Sequence, residues 1–247
     1  MNNFIELKIR VYKAIDNLEA CERFAKEHEN VLISYGIKKV TSSSTNWFFD
    51  PDVFIVMVES SSGEHLFGGA RLHLKNAAFQ LPIESAISEL DPQIHNLINS
   101  NVAYKTGELC GLWNTKDMSG NGLSAILIRT GVAKAGIFIA EKYNLKSLYT
   151  LSAPWTINMV KKIGFTVEKS VGNNGEFAYP KPDLIATVLV LNDIETLKNA
   201  NEDERTDIFN LRENPIQKRT ENGPKGAIEI EYNLTISADE FAALQFN

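Results

Sequence analysis

The sequence predicts an α+β domain built on a mixed, mostly antiparallel sheet with one parallel strand pair and flanking helices. Three observations predict it. Residues 107–165 read as strand, glycine-bearing loop, long helix, strand and short helix, the unit that joins parallel neighbours. Residues 53–59 and 66–74 are strand-like runs separated by Ser60-Ser61-Ser62-Gly63, a hairpin signal that makes that part of the sheet antiparallel. Residues 184–191 form an apolar, partly β-branched run with the length of a buried strand.

The remaining elements follow in chain order. Residues 4–12 alternate loosely and predict a first strand. Asp16 is placed to cap a helix over 17–28, with Leu18, Cys21, Phe24 and Ala25 on its apolar face. The polar run 41–45 is a loop. Residues 81–98 hold one helix or two short ones, with Pro82 and Pro92 as start signals. In the central unit, 107–113 is an apolar strand and 114–122 a polar turn. The helix covers 123–143, with Ile126, Leu127, Val132 and Phe138 at helical spacing, and the second parallel strand covers 145–151. Composition shifts after Asn192, which divides the chain into a domain over 1–193 and a polar extension over 194–247. Residues 198–226 are rich in Asn, Asp, Glu, Lys and Arg and predict a loosely attached segment. Residues 227–234 alternate cleanly and predict a strand, with Ile228, Ile230 and Tyr232 on one face. That strand either returns to the sheet or adds to a second copy of the chain as a homodimer contact.

A strand that breaks at Gly120 and Gly122 and runs into a helix start leaves backbone N–H groups unpaired and pointing one way. With the positive end of the helix dipole behind them, such groups suit a pyrophosphate without help from Lys or Arg. A dinucleotide fingerprint would carry a third glycine where Ala125 stands, and its unit would open a parallel array rather than sit mid-chain behind a hairpin. The loop is therefore not read as a dinucleotide site.

Residues 108–122, the helix behind them and the later Lys161-Lys162-Ile163-Gly164-Phe165 resemble the GNAT N-acetyltransferase superfamily. That family's loop reads Gln/Arg-x-x-Gly-x-Gly/Ala. Gly120 and Gly122 match it, and Asp117 stands where Gln or Arg is usual. Its later motif reads Tyr-x-Lys-x-Gly-Phe. Lys162, Gly164 and Phe165 match, and Val160 replaces the Tyr. The resemblance covers about residues 4–193 and implies that the parallel strands splay apart. It implies an acyl-coenzyme A-dependent N-acyltransferase, with acetyl-CoA or another acyl-CoA as co-substrate and a small-molecule or protein amine as acceptor. Coenzyme A would lie on Ser119, Gly120, Asn121, Gly122, Leu123 and Ser124, and its pantetheine arm along Cys110 and Leu112. A weaker resemblance, to acyl-homoserine lactone synthases, rests on Asp50 and Asp52, the strand arginine Arg71, and Glu108-Leu109. It implies instead an acyl-carrier protein donor and S-adenosylmethionine. A third reading is a non-catalytic binder of an acyl cofactor or partner.

Glu108 is the candidate general base, because alternation puts it on the face of Cys110 and Leu112 and burial would raise its pKa. The alternative is a strand-end glutamate in water or paired with Arg71. Ser152 is the candidate donor to the departing thiolate in place of the absent Tyr. Cys110 has no neighbouring histidine in sequence to activate it and is read as packing. Arg71 and Trp113 are candidates for substrate contact, and Lys116 is a loop lysine near the expected phosphates.

The chain's 247 residues, 44% of them hydrophobic, suffice for one sizeable core with an appendage. A net charge of −6 argues against a nucleic-acid partner. Two distant cysteines, Cys21 and Cys110, offer neither a disulfide framework nor metal-ligand spacing, so no metal is expected and a reducing cytoplasm is the simpler setting. Neither a leader pattern nor a membrane-length apolar run is seen in the sequence.

Overall fold

The structure is a computed structural model that describes residues 5–37, 44–100, 104–140 and 143–236. Among these residues ten strands form one sheet: β1 (Ile5–Lys13), β2 (Val53–Ser60), β3 (Leu66–Leu74), β4 (Lys105–Asn114), β5 (Leu145–Ser152), β6 (Thr166–Val167), β7 (Glu176–Ala178), β8 (Ile185–Leu191), β9 (Ile216–Gly223) and β10 (Gly226–Asn233). Their order is β6-β8-β5-β4-β3-β2-β1-β10-β9, with β7 also on β8. The pairs β4–β5 and β1–β10 are parallel and the others antiparallel. The expected α+β class, central parallel pair and hairpin at residues 60–63 are all present.

Among the described residues, six α-helices cover the sheet: α1 (Leu18–Ser34), α2 (Pro82–Ile87), α3 (Gln93–Asn99), α4 (Leu123–Ala140), α5 (Ile157–Lys162) and α6 (Glu202–Glu213). One face carries the largest core. There Leu127, Val132 and Phe138 of α4 pack on Leu72, Leu109 and Leu148 of the sheet. On the other face Phe24 of α1 packs on Ile55, Met57 and Trp113. The α2–α3 pair covers Tyr149, Val188 and Val190 beside it.

Several expectations are corrected. The cap of α1 is Asn17, not Asp16: its Oδ1 accepts the Ala20 N–H at 3.0 Å. The helix also runs on past residue 28, and Leu18 is exposed rather than on the packed face. Part of the predicted loop at 41–45 lies outside the described residues.

The larger correction concerns residues 198–226. They are not loosely attached, for they contain α6 and β9. Two apolar residues suffice to seat the charged α6, because Ile208 and Leu211 are fully buried in the core beneath α4. Glu202, Asp203 and Glu204 in its first turn oppose the positive end of its dipole. Arg129 of α4 ties the region together, reaching Glu204 at 3.0 Å, Asp207 at 3.0 Å and Glu221 at 2.8 Å. The Tyr232 hydroxyl donates to Glu221 at 2.7 Å.

β10 forms as expected, with Ile228, Ile230 and Tyr232 buried. It lies between β1 and β9, so both its edges are used within the chain and it has no edge to offer a second copy. No helix among the described residues is long and apolar enough to cross a membrane.

Candidate active site

The site begins where two parallel strands part. Pairing of β4 with β5 runs from Lys105 to Glu108, opposite Leu145 to Tyr149, and stops there. β4 continues to Asn114 and β5 to Ser152, so beyond Glu108 the β5-facing edge of β4 has no strand partner. On its other edge, β4 shifts register against β3, from Arg71↔Cys110 to Gly69↔Trp113. The extra residue is accommodated by a bulge at Gly111, whose φ is +56°. A Cβ on Gly111 would stand 2.9 Å from the Arg71 Nε, so crowding as well as φ favours glycine there.

The bulge reverses the alternation expected along β4. Glu108 and Cys110 share the face covered by α1 and α2, as expected. Leu112 turns to the α4 side, where it packs on the main core, and Trp113 takes its place against Phe24.

Two joined cavities occupy the parting. The smaller, about 220 Å³, is lined by Glu108, Cys110, Thr150, Ser152, Val160 and Tyr179. The larger, about 710 Å³, is lined by Trp113, Ser119, Gly120, Gly122, Leu123 and Ser124. Leu112, His28, Trp155 and Thr156 line both, so the glycine loop and the buried strand residues open onto one cleft.

Glu108 stands at its inner end, 2% exposed. Its Oε2 accepts the Ile83 N–H at 2.7 Å, one of the unpaired amides in the first turn of α2. Burial pushes its pKa up to about 8, against the lowering effects of that N–H and of Arg71. The carboxyl is thus poised to exchange a proton near neutral pH, and it is neither in open water nor in contact ion pairing with Arg71. Burial raises the Cys110 thiol well above its usual range, which suits packing rather than nucleophilic work. Ser152, at the end of β5, is buried, with its Oγ 3.4 Å from Thr150 Oγ1.

At the other end, Gly120 and Gly122 hold φ of +79° and +84°. Among the described residues, the amides of Gly122, Leu123 and Ser124 donate to no other group. They open α4, whose dipole adds to their positive potential. The Ser124 hydroxyl is engaged with Asn114 Oδ1 at 2.7 Å.

Other candidates lie elsewhere. Asn121 is buried beneath the loop rather than on the cavity wall. Lys116 turns away, donating to the Ser34 carbonyl at 3.3 Å. Arg71 is fully buried behind β4, its guanidinium 4.6 Å from the Trp47 ring centre, and lines neither cavity. Asp50 and Asp52 are also off the cleft. Asp50 accepts the Asp52 N–H and the Asn76 amide, and Asp52 pairs with Lys105 at 3.2 Å.

Residues that sequence reasoning passed over are His28 and Tyr179, whereas Trp155 is the pocket-wall residue that its type suggests. His28 lies on the part of α1 packed against Trp113, and burial followed by Arg71 lowers its pKa to about 3, so it meets the cleft as neutral imidazole. Trp155 is 63% exposed and forms a wall at the mouth.

No family model matches the chain, and no curated protein matches it in sequence. Among solved structures it is similar to FeeM, an N-acyl amino acid synthase from uncultured soil microbes. The identity is 15%, over 81% of this chain and 97% of that one, with a TM-score of 0.55. The chain shares the fold of that structure, a mixed sheet with flanking helices.

Two further similar structures are named for acyl transfer or acyl-homoserine lactone synthesis. One is an acyl-CoA N-acyltransferase from Pseudomonas aeruginosa, at 13% identity over 74% of this chain and 98% of that one, with a TM-score of 0.48. The other is MesI, a CoA-dependent acyl-homoserine lactone synthase, at 9% over 84% and 95%, also with a TM-score of 0.48. At 15% identity the likeness to FeeM is one of fold alone, and the chemistry rests on this chain's own residues.

Proposed function

We propose that this protein transfers an acyl group from coenzyme A to an amine. The observation that carries the reading is the single cleft running from the glycine loop, between the parted β4 and β5, to buried Glu108. Its two ends differ as the two halves of such a donor differ. The outer end offers free amides at a helix start, suited to a diphosphate. The inner end is narrow, mostly apolar and holds one carboxyl group, as an acyl-transfer centre requires.

In this reading the unpaired β4 edge beside Cys110 donates backbone hydrogen bonds to the pantetheine arm and to the thioester oxygen, where negative charge develops. Glu108, as carboxylate, takes the proton that the amine nitrogen sheds on attacking the thioester carbon. Breaking the carbon–sulfur bond releases coenzyme A as a thiolate, and the Ser152 hydroxyl relays a proton to it, directly or through water, while taking one from solvent, to which Glu108 later gives up the proton it gained. Val160 is buried and has no proton to give. Acetyl is the simplest acyl group for the narrow inner cavity, and the mouth formed by α1 and Trp155 admits the acceptor.

Release of free thiol from acetyl-CoA in the presence of an amine mixture tests the reading. Thiol release that depends on an amine supports it. Binding without turnover would instead favour a non-catalytic acyl-CoA binder. Turnover only with acyl-carrier protein and S-adenosylmethionine would favour the lactone-synthase alternative, which the positions of Asp50 and Asp52 outside the cleft disfavour.

A further inference from the structure

The hairpin β9–β10 ends against the glycine loop. A Cβ on Gly223 would fall 2.2 Å from the Asn121 carbonyl oxygen, so the two backbones touch. Pro224 lines the larger cavity beside Ser119, Gly120 and Gly122. Lys225 lies across the loop: its Nζ donates to the Ser119 carbonyl at 2.5 Å, and its Cε would be 2.8 Å from a Cβ on Gly120.

We propose that Lys225 is the cation through which this chain meets the diphosphate of its acyl donor, so that the region beyond residue 194 completes the donor site. The inference rests on the acyl-coenzyme A reading above. The loop carries no cation of its own that faces the cleft. Asp117 stands where the family pattern has Gln or Arg, and Lys116 is held at Ser34. Lys225 borders the larger cavity at Ser119 and Gly120 without forming its wall. Lys181 does line that cavity, but Asp183, on the same wall, pairs with it at 3.2 Å. Lys225 is exposed, and an ammonium has three donors. One goes to Ser119, leaving two that can turn to phosphate oxygens beside the loop amides.

The lysine is delivered by a well-anchored element. β10 is paired with β9 along its length and with β1 from Ile228 to Asn233, and the hairpin is bound to α4 through Arg129 and Glu221. A charge missing from the loop's own sequence is thereby supplied from about a hundred residues downstream, at the cost of making donor binding depend on the C-terminal hairpin.

Calorimetry on the full chain tests this, with coenzyme A, dephospho-coenzyme A (which lacks the ribose phosphate) and S-acetylpantetheine (which lacks all phosphates). Lys225→Met should weaken coenzyme A and dephospho-coenzyme A by about three- to tenfold at low salt, the range for one exposed charge-assisted contact. Lys225→Arg should restore most of the affinity, and the loss on Lys225→Met should be absent from binding of S-acetylpantetheine, which has no phosphate for the ammonium to meet. Equal binding by the parent and Lys225→Met overturns the inference, as does an equal loss with S-acetylpantetheine, which would make Lys225 only a brace for the loop. Sensitivity confined to coenzyme A, and absent with dephospho-coenzyme A, also overturns the diphosphate assignment. A parent chain that binds no coenzyme A would instead bring down the functional reading itself, and this inference with it.

Discussion

Glu108 and Ile83 are joined by a 2.7 Å hydrogen bond in which the strand carboxyl receives the backbone N–H from the first turn of α2. This bond holds the candidate base at the inner end of the cleft and ties the α2 layer to the splayed strands. Glu108→Gln keeps the acceptor oxygen and removes the basicity. Acyl transfer should fall by about a hundredfold or more, with the Michaelis constant for the donor little changed. A variant that retains parental turnover at all pH values would make Glu108 a structural anchor alone.

The pH dependence follows from the same group. Its folded-state pKa, about 8, lies above that of an ordinary glutamate, so the folded protein favours the neutral acid. Transfer should therefore rise with pH through about 8 as the carboxylate forms. Stability should move the other way. The contribution from keeping Glu108 neutral is full below the ordinary glutamate range and is lost as pH rises through the folded value. Glu108→Gln should remove both trends, which rate profiles and denaturant midpoints across pH would reveal.

Ser152→Ala should lower transfer less than Glu108→Gln, because a coenzyme A thiolate is a good leaving group that water can protonate. Side-by-side turnover measurements decide this. A loss equal to that of Glu108→Gln would give Ser152 a larger part than assistance to the leaving group.

Gly111→Ala tests the bulge. The residue must hold a positive φ, which costs a side chain about 1–2 kcal/mol, and its Cβ would also press on Arg71. Denaturant unfolding should show at least that loss. An unchanged midpoint would mean that β4 can run unbulged, with Leu112 turned back to the face of Glu108.

Leu211→Ala tests whether the chain beyond residue 194 shares the main core. Leu211 is fully buried, and truncation of such a residue typically costs about 2–5 kcal/mol. The loss should appear in a single transition for the whole chain. A separate early transition would show that α6, β9 and β10 form an independent layer.

The strand–loop–helix unit was legible because its periods differ sharply: an apolar strand, two glycines, then the helical spacing of Ile126, Leu127, Val132 and Phe138. The same patterning gave the hairpin at residues 60–63 and placed Glu108 beside Cys110. The bulge also left a trace, since an isolated glycine in a strand, such as Gly111, often marks one. Its consequence for Leu112 needed the register with β3. α6 was hidden by its composition, because a charged helix seated by Ile208 and Leu211 reads as a solvated segment. β9 is mostly polar and gains its place by pairing rather than by burial. Most of all, the meeting of Lys225 with Ser119 depends on where a distant hairpin ends, and no local pattern in the sequence encodes it.

Titration of the full chain with acetyl-CoA, followed by calorimetry, tests the central claim most directly. The account predicts saturable one-to-one binding with a negative heat-capacity change, as apolar walls close on the pantetheine arm and Trp155 loses contact with water. It also predicts competition by free coenzyme A. No saturable heat at millimolar acetyl-CoA, with the chain folded, would contradict it.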